Sequence, residues 1–408
     1  MTRLEADVVI VGGGMVGATL ACALAHESGL KTALIERFGL KAGDKATYTA
    51  DFDARSSALT LSTQRAFERI GLWSRLAANV APISKIHVSD TGRFGSTVMN
   101  AEEENMDALG YVAENHWIGS VLAEGMHQSP KLSIHAPATA LGVTFGSERV
   151  EIEFEQAGEH ATVSARLLVV ADGAGSPMSE KLGITVREQK YGQDALIANI
   201  GHRKPHQGIA YERFSDHGPM AMLPLVDDGD GSPRSALVWV REHHETERLL
   251  GLPEAEFSRE LQRAFGYRVG RIERIGSRQS YSLRLVRSSE QVRQRLVVLG
   301  NAAHALHPVA GQGFNLSVRD ADALAQVVLA AHATGQDIGD LTALEGFFNR
   351  RLIDQERTIV ASDLLPRIFA NGWLPVTLGR DAALVGLQLL PTLRSGFVRY
   401  ATGLGAQQ

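Results

Sequence analysis

One glycine-rich stretch holds the residues best suited to chemistry, GNAAHALHPVAGQGFNLSVRDADAL at positions 300–324. It follows an apolar run at 296–299, which is typical of a buried parallel strand. Apolar residues then recur at helical spacing, so we predict a helix that begins near Gly313 or Asn315. Gly311 and Gly313 have no Cβ atom and would let a ligand approach the backbone at that helix N-terminus, where free N–H groups favour negative charge.

A ligand of that kind is the reduced isoalloxazine ring of a flavin, which is negative around N1 and O2. The same residues could also form an ordinary glycine-rich connection between a strand and a helix. The stretch therefore needs support from elsewhere in the chain.

A second glycine-rich turn, GGGMVG, begins at Gly12 and separates a predicted strand (7–11) from a predicted helix (18–26). The next predicted strand, at 32–35, leads into Glu36, which lies 19 residues after Gly17. An acid about 20 residues after the last glycine is the expected partner of a ribose 2′-hydroxyl. Because the motif lies between a strand and a helix, with the acid after the next strand, the sequence predicts a dinucleotide site.

A third segment, LLVVADGAGSP, predicts an apolar strand at 167–170 that delivers Asp172 and Gly173 into a turn. Asp and Gly are common turn residues, so this segment alone could be an ordinary strand end. Its position between the dinucleotide motif and the stretch at 300–324 is what favours a role for this turn in cofactor binding.

These three segments, in this order, resemble those of the aromatic-ring hydroxylases, the flavoprotein monooxygenases built like 4-hydroxybenzoate hydroxylase. The resemblance covers nearly the whole chain. Three further segments are similar to the ubiquinone-biosynthesis branch of that family, and within it to the 2-polyprenyl-6-methoxyphenol hydroxylases: AYERFSDHGPMAMLPL at 210–225, LQRAFGYRVGRI at 261–272 and HPVAGQGFNL at 307–316. Two positions depart from the wider family, which usually has Asp in place of Asn301 and Arg in place of Ser179.

The resemblance implies which residues bind FAD. The ADP pyrophosphate would lie on Gly12, Gly14 and Gly17, the adenosine ribose on Glu36, the phosphate and ribityl chain beside Asp172 and Asn301, and the isoalloxazine against Pro308, Gly311, Gln312, Gly313 and Asn315. Arg55, in the run DARSSAL, matches a family position near the flavin, although a surface arginine before a helix is an equal alternative.

The resemblance also implies the chemistry. NADPH or NADH would bind transiently and reduce the FAD, O2 would be captured as a C4a-hydroperoxyflavin, and one oxygen atom would pass to an electron-rich phenol. No second GxGxxG follows a strand, so we predict no separate nicotinamide domain. A base near the phenol would help, and the candidates are His304, His307 and Tyr211, although a loop histidine is more often a hydrogen-bonded structural residue.

The motifs near residues 12, 172 and 301 must meet in space, so the chain between them must form something else. We predict an α/β fold, with a Rossmann-like FAD-binding domain interrupted by a mostly antiparallel β-sheet substrate domain, and with C-terminal helices. The predicted bounds are 1–75, 100–188 and 286–345 for the FAD-binding domain, 76–99 and 189–285 for the substrate domain, and 346–408 for the C-terminal helical segment.

The C-terminal part, 364–404, is apolar and helix-like. Its longest apolar piece without charge, 382–393, is shorter than the roughly 20 residues that span a bilayer. Two interpretations stay open, a helical cover packed on the flavin domain and a surface that lies against a membrane or a partner. A polyprenylated phenol would be dissolved in lipid, which makes a peripheral membrane contact a reasonable hypothesis.

Composition fits an ordinary soluble enzyme, since 408 residues with 44% hydrophobic and 21% charged side chains suffice for two cores. The net charge of −5 gives no support for nucleic-acid binding. Cys22 is the only cysteine, which excludes an intramolecular disulfide and a cysteine-rich metal site, and no metal is predicted. The first six residues are too short and polar for a secretory signal, so we expect a cytoplasmic protein, with peripheral contact at the inner face of the membrane as an alternative.

Two other functions stay open. Another flavoenzyme on the same fold, such as a prenyl reductase, a halogenase or a different aromatic hydroxylase, would keep every FAD motif, although the WxWxIP signature of flavin halogenases is absent. A scaffold subunit of a quinone-synthesis complex would keep the fold without turnover. Intact glycines in both loops argue against a scaffold that has lost FAD.

Overall fold

The computed structural model describes residues 2–26, 29–40, 55–90, 95–306, 311–370, 386 and 389–405. Its strands, in chain order, are β1 (Thr2–Glu5), β2 (Val8–Val11), β3 (Thr32–Ile35), β4 (Ser56–Leu59), β5 (Ala81–Ile83), β6 (Lys85–Asp90), β7 (Ser96–Asn100), β8 (Gly110–Glu114), β9 (Leu132–His135), β10 (Thr139–Phe145), β11 (Val150–Gln156), β12 (Glu159–Ala165), β13 (Leu167–Val170), β14 (Val186–His202), β15 (Ile209–Phe214), β16 (Met220–Pro224), β17 (Arg234–Glu242), β18 (Ile272–Ile275), β19 (Gln279–Ser288), β20 (Val292–Arg293), β21 (Leu296–Val298) and β22 (His304–Ala305).

The helices, in chain order, are α1 (Met15–Ala25), α2 (Leu61–Arg69), α3 (Trp73–Leu76), α4 (Asn115–His127), α5 (Pro177–Lys181), α6 (His243–Gly251), α7 (Glu254–Phe265), α8 (Gln312–Ala333), α9 (Leu341–Ala370) and α10 (Pro391–Ala401). Short 3-10 turns occur at Ala77–Asn79, Glu102–Glu104 and Gly300–Ala302.

The first large sheet has the strand order β20-β21-β13-β2-β3-β9, and its neighbours are parallel apart from β20 with β21. Its central strands are buried along their whole length, as expected when both faces of a parallel sheet are covered. Val8 and Ile10 of β2 belong to a core shared with α1, α4 and α8, whereas Val9 and Val11 pack against the sheet β1-β12-β11-β10. Strand alternation therefore gives this sheet a helical cover and a β cover.

The second large sheet has the order β22-β19-β14-β17-β16-β15-β6-β7, with β18 beside β14. Its pairs are antiparallel apart from β15 with β6. Helices α6 and α7 cover one face, where Trp239 packs with Leu249, Phe257 and Leu261. The other face turns toward the start of α8 and the small sheet β4-β8-β5.

The predicted fold class is confirmed. The strands predicted at 32–35 and 167–170 have the bounds of β3 and β13. The first predicted helix begins three residues earlier than expected, at Met15, because Gly14 already serves as its N-cap. The bounds assigned to the two domains and the C-terminal segment stay a prediction. Within the described residues, the helices lack the combination of length and apolar character that crossing a bilayer requires.

Candidate active site

In the turn after β2, two glycines lie so close to neighbouring backbone atoms that a side chain would not fit. Gly12 has a φ of +107°, and a Cβ atom there would lie 2.4 Å from the carbonyl oxygen of Ala171. A Cβ atom on Gly17 would lie 1.9 Å from the carbonyl oxygen of Gly12. Gly14 differs, because nothing lies within 4 Å of its Cβ position in front of the α1 N-terminus. The turn therefore leaves room where the helix presents free N–H groups, which favour an anion such as a pyrophosphate.

Glu36 follows β3 and lies against this turn. Its carboxylate accepts hydrogen bonds from the backbone N–H groups of Gly13 and Phe38. The structure thus brings the predicted ribose-binding acid next to the predicted pyrophosphate turn. A carboxylate held in this way is oriented before any ligand arrives.

Asp172 follows β13, the strand next to β2. One of its carboxylate oxygens accepts a hydrogen bond from the backbone N–H of Met178 at 3.1 Å. The other oxygen, Oδ1, is buried and has no hydrogen-bond partner among the described residues. Burial raises the pKa of Asp172, and the nearby negative charge of Glu36 adds to the rise. A buried oxygen without a donor is a place where a ligand hydroxyl or N–H group would be stabilised.

The long glycine-rich stretch meets the first turn at Gly300. Gly300 has a φ of +65°, and its Cβ position lies 3.3 Å from Val16 in the first turn of α1. Gly311, with a φ of +60°, is the N-cap of α8, and its Cβ position lies 3.1 Å from Ala58 of β4. Both positions favour glycine because of their left-handed backbone and close neighbours. The start of α8 is thereby placed against β4.

The side chain of Asn315 stabilises the contact between the start of α8 and β4 through hydrogen bonds. Its side chain is fully buried, and its Nδ2 group donates to the carbonyl oxygens of Ala58 and Gly311, both at 2.7 Å. Its Oδ1 atom accepts from the backbone N–H of Thr60 at 2.8 Å and from the hydroxyl of Thr63 at 2.7 Å. With both ends of the amide bonded inside the protein, the side chain of Asn315 positions the loop, and its predicted contact with the isoalloxazine stays a prediction.

A cavity of about 480 Å³ lies between the start of α8 and the antiparallel sheet. Several predicted site residues line it, namely Arg55, Asn301, Gly311, Gln312 and Gly313. The guanidinium of Arg55 lies 5.1 Å from the ring centre of Tyr281, a cation–π contact at the cavity wall. The wall formed by the sheet is mainly apolar, with Ala195, Ile197, Ala221, Leu223, Val238 and Leu283.

The structure places the candidate bases in different surroundings, or leaves them outside the described residues. His307 and Pro308 lie outside the described residues. His304 is buried and bonds to Asp320, Nε2 to Oδ2, at 2.8 Å, so it serves a buried ion-pair network between β22 and α8 and not the cavity. Tyr211 packs edge to face on Phe265 of α7, with ring centres 5.5 Å apart. The structure therefore corrects the expectation for Tyr211, because it lies on the face of β15 that α7 covers.

One cavity residue was missed by the sequence interpretation. Glu212, next to Tyr211, lines the cavity, and burial raises its pKa to about 7. The signal that could have revealed it is the alternation of the strand AYERF, which puts adjacent residues on opposite faces. The sequence does not say which of the two faces borders a cavity.

Comparison with known proteins agrees with this geometry. The family described as FAD binding domain matches residues 5–343. The chain is 36% identical over 398 residues to ubiquinone hydroxylase UbiL of Rhodospirillum rubrum, covering 98% of this chain and 90% of that protein. It is 28% identical to 3-demethoxyubiquinol 3-hydroxylase of Escherichia coli, covering 99% and 100% of the two chains.

Solved structures share the fold. The structure of p-nitrophenol 4-monooxygenase PnpA from Pseudomonas putida superposes with a TM-score of 0.79 at 19% identity, with 100% of both chains covered. PqsL of Pseudomonas aeruginosa gives a TM-score of 0.75 at 20% identity, covering 93% of this chain and 99% of that chain. The resemblance drawn from the motifs is confirmed by the family match, which extends over most of the sequence. This chain belongs to the FAD binding domain family.

Proposed function

We propose that the protein is an FAD-dependent monooxygenase that hydroxylates a polyprenylated phenol in ubiquinone biosynthesis. The observation that carries the proposal is the apolar cavity of about 480 Å³ beside the glycine-flanked start of α8. An aromatic ring with a hydrocarbon tail is stabilised in such a cavity, and a flavin at its edge would be within reach of that ring. The names of relatives with 36% and 28% identity support the choice of pathway.

The residues around the first turn suit the ADP half of FAD. The space in front of Gly14 would hold the pyrophosphate on the N–H groups of α1, and Glu36 would accept a hydrogen bond from the adenosine ribose. The unpartnered Oδ1 of Asp172 would accept a bond from a hydroxyl of the cofactor. Asn301, which lines the cavity and has an amide in place of the usual acid, would lie by the ribityl chain.

The start of α8 suits the isoalloxazine. Gly311, Gln312 and Gly313 would present backbone N–H groups to the electron-rich edge of the ring, and Asn315 would keep that backbone in place. Bound FAD, reduced by transiently bound NADPH or NADH, would supply the activation of O2 and the transfer of one oxygen atom to the phenol. The apolar walls would exclude water, which favours oxygen transfer over wasteful release of peroxide.

Oxygen isotopes separate this function from its alternatives. With NADPH and a short-chain prenylphenol, we expect the purified yellow protein to yield a product about 16 mass units heavier than the phenol under 16O2 and about 18 mass units heavier under 18O2. A prenyl reductase would consume NADPH without incorporating the label, and a scaffold subunit would do neither. In a cell that lacks the protein, we expect a polyprenyl-methoxyphenol to accumulate and ubiquinone to fall. Unchanged ubiquinone would overturn the proposed pathway.

We also propose that the protein works in the cytoplasm and touches the inner face of the membrane through α9 and α10. Ile353, Val360 and Leu364 lie on one side of α9 with 63%, 55% and 49% of their surface exposed. Leu393 and Phe397 of α10 are 58% and 37% exposed. Exposed apolar side chains in helices favour the lipid interface, from which a polyprenyl tail would enter the cavity.

Liposome flotation tests that contact. We expect the protein to float with anionic vesicles, and we expect the double variant Val360→Glu with Leu393→Glu to remain in the soluble fraction. The matched control is Phe145→Glu, at an exposed apolar residue of β10. Wild-type protein that stays wholly in the soluble fraction would refute the membrane contact, and the exposed surface would then be a candidate for binding a protein of a quinone-synthesis complex.

A further inference from the structure

Glu212 is the only residue with a carboxyl group among the described residues that line the cavity. The two other charged residues there are Arg55 and Arg284. Arg284 pairs with Glu188 outside, at 3.5 Å. Glu212 therefore is the one acidic group that a ligand in the cavity can meet within the described part of the chain.

The direction of the Glu212 side chain follows from strand alternation. Its neighbour Tyr211 packs on Phe265, on the face of the sheet that α7 covers. Glu212 points to the opposite face, and the residues opposite it in register are Val88 of β6 and Ala221 of β16. Both neighbours are apolar, so the carboxyl group has hydrocarbon on each side.

The Glu212 side chain is half-buried at the cavity wall, and within the described residues no partner charge or hydrogen bond contributes to its pKa. Burial alone raises its pKa to about 7. Other charged groups on this side of the sheet are Asp90, two residues beyond Val88 on β6, and Arg234 at the far end of β17, which Glu114 neutralises at 3.3 Å. Neither is a cation placed to pair with Glu212.

A carboxyl group in apolar surroundings is costly unless it is hydrogen-bonded. The proposed substrate is mostly hydrocarbon, and its phenol hydroxyl is a hydrogen-bond donor. A donor of this kind satisfies the carboxylate, whereas a ligand that places a negative charge next to Glu212 would be repelled by that carboxylate. The position of Glu212 on β15 therefore favours neutral phenols in the cavity.

We propose that Glu212 binds the phenol hydroxyl of the substrate as a hydrogen-bond acceptor and thereby selects neutral phenols over phenols that carry a ring carboxylate. The proposal rests on the proposed function, since it takes the substrate to be a phenol. Glu212 acts by contact with the substrate, and its ionised form is the better acceptor because charge-assisted hydrogen bonds are stronger than neutral ones.

The pH dependence follows from that difference. The phenol itself ionises near pH 10, so it stays neutral between pH 6 and 8. Glu212 loses its proton across the same range. Affinity for the phenol should therefore rise as the pH increases from 6 to 8, and it should fall as Glu212 becomes protonated at lower pH.

The test uses the FAD-loaded protein and 2-methoxy-6-prenylphenol, which carries a single isoprene unit. Its methyl ether serves as the ligand without a donor, and its 4-carboxylate serves as the anionic ligand. Binding is followed by the change in flavin absorbance. At pH 8 we expect wild-type protein to bind the phenol about 10-fold more tightly than the ether, and the carboxylate still more weakly.

Glu212→Gln should bind the phenol about 10-fold more weakly than wild type, with no pH dependence between 6 and 8. Glu212→Leu should bind phenol and ether alike, and it should fold well because it removes a buried polar group. Glu256→Gln, at an exposed position of α7, is the matched control and should behave as wild type. FAD content and melting temperature report whether each variant is folded.

The outcomes separate the two proposals. If both Glu212 variants bind the phenol with the affinity and pH dependence of wild type, the role of Glu212 is overturned and the proposed function stands. If wild-type protein binds none of the three compounds, the proposed function fails and the role of Glu212 fails with it. If wild type binds the carboxylate as tightly as the phenol, the selection by charge is wrong.

Discussion

At the scale of single residues, the glycines of the first turn have two different reasons to be glycine. Gly12 and Gly17 are required by contacts inside the protein, because each Cβ position falls on a backbone atom. Gly14 faces open space and is required only if something else occupies that space. The turn therefore combines a closed backbone with a free surface at the α1 N-terminus, which is the arrangement that a pyrophosphate needs.

Gly17→Ala should damage this turn. The added Cβ atom would lie 1.9 Å from the Gly12 carbonyl oxygen, so α1 must move away from β2. Overpacking of this kind costs about 1–3 kcal/mol, and we expect FAD affinity to fall about 10-fold or more. The measurement is the ratio of flavin to protein absorbance after purification, followed by titration of the apoprotein with FAD.

Gly119→Ala in α4 is the control, since nothing lies within 4 Å of its Cβ position and alanine favours helix. It should keep full FAD content. Equal FAD affinity in Gly17→Ala and wild type would mean that the cofactor does not depend on this turn.

From the sequence, it was easier to predict which residues lie near the cavity than to predict the direction in which their side chains point. The glycines of both loops were found from sequence because their requirement is local, in the turn itself. Tyr211 was misplaced and Glu212 overlooked because both faces of β15 are covered, one by α7 and one by the cavity. Which face borders the cavity depends on β6 and α7, which lie far from β15 in sequence.

At the scale of elements, α8 is held at two points. Asn315 ties its first turn to β4 and α2. One turn further along, Asp320 accepts hydrogen bonds from His304 of β22, from Arg351 of α9 at 2.6 Å and from Gln355 at 3.0 Å. Within the glycine-rich stretch, His304 is therefore anchored before Gly311 and Gly313, and Asn315 is anchored after them.

Asp320→Asn should loosen the contact of β22, α8 and α9. Burial on its own would raise the pKa of Asp320, but the hydrogen bond from His304 and the positive charge of Arg351 outweigh it and lower the pKa below the ordinary 3.8. A lowered pKa in the folded state adds stability above pH 3.8, and that stability is lost as the pH falls through the folded value. Removing the charge leaves Arg351 short of a counterion, at a cost of about 3 kcal/mol near neutral pH.

Melting temperatures between pH 2 and 7 check this expectation. Wild type should lose stability below pH 4 more steeply than Asp320→Asn, because the variant has no carboxylate to protonate at this position. Asp322→Asn is the control, since it removes the charge of a partly exposed pair with Arg69 and should cost less than about 1 kcal/mol. Parallel pH profiles for wild type and Asp320→Asn would show that the network contributes nothing to acid stability.

Strands β2, β3, β13 and β21 of the parallel sheet could be predicted because each is a short apolar run that leads into a glycine or an acid, a pattern contained in about ten residues. The strand order of the antiparallel sheet could not be predicted from the sequence. Its parallel pair of β15 with β6 joins residues more than 120 positions apart, and β22 pairs with β19 through only two residues. Pairing of this kind depends on which distant strands meet, and neither alternation nor turn residues record it.

At the scale of the whole molecule, the site exists because parallel strands present their carboxyl ends at one edge. Strands β21, β13, β2 and β3 are neighbours, and Gly300, Asp172, Gly12 and Glu36 follow them in that order. Segments almost 300 residues apart therefore line a single crevice at the edge of the sheet, as expected for ligand sites of open α/β sheets. The antiparallel sheet closes the other side and forms the cavity.

A cofactor that spans this crevice should stabilise all of these segments together. At FAD concentrations 100 times the dissociation constant, the apoprotein should gain about 2.7 kcal/mol of stability, because the ligand binds only the folded state. Hydrogen exchange should slow at residues 12–17, at 300–306 and at 311–316 in the same experiment. ADP, which lacks the flavin, should protect only the first of these segments. Protection by FAD that stops at residues 12–17 would place the isoalloxazine away from α8, and it would remove the basis for oxygen transfer in the cavity.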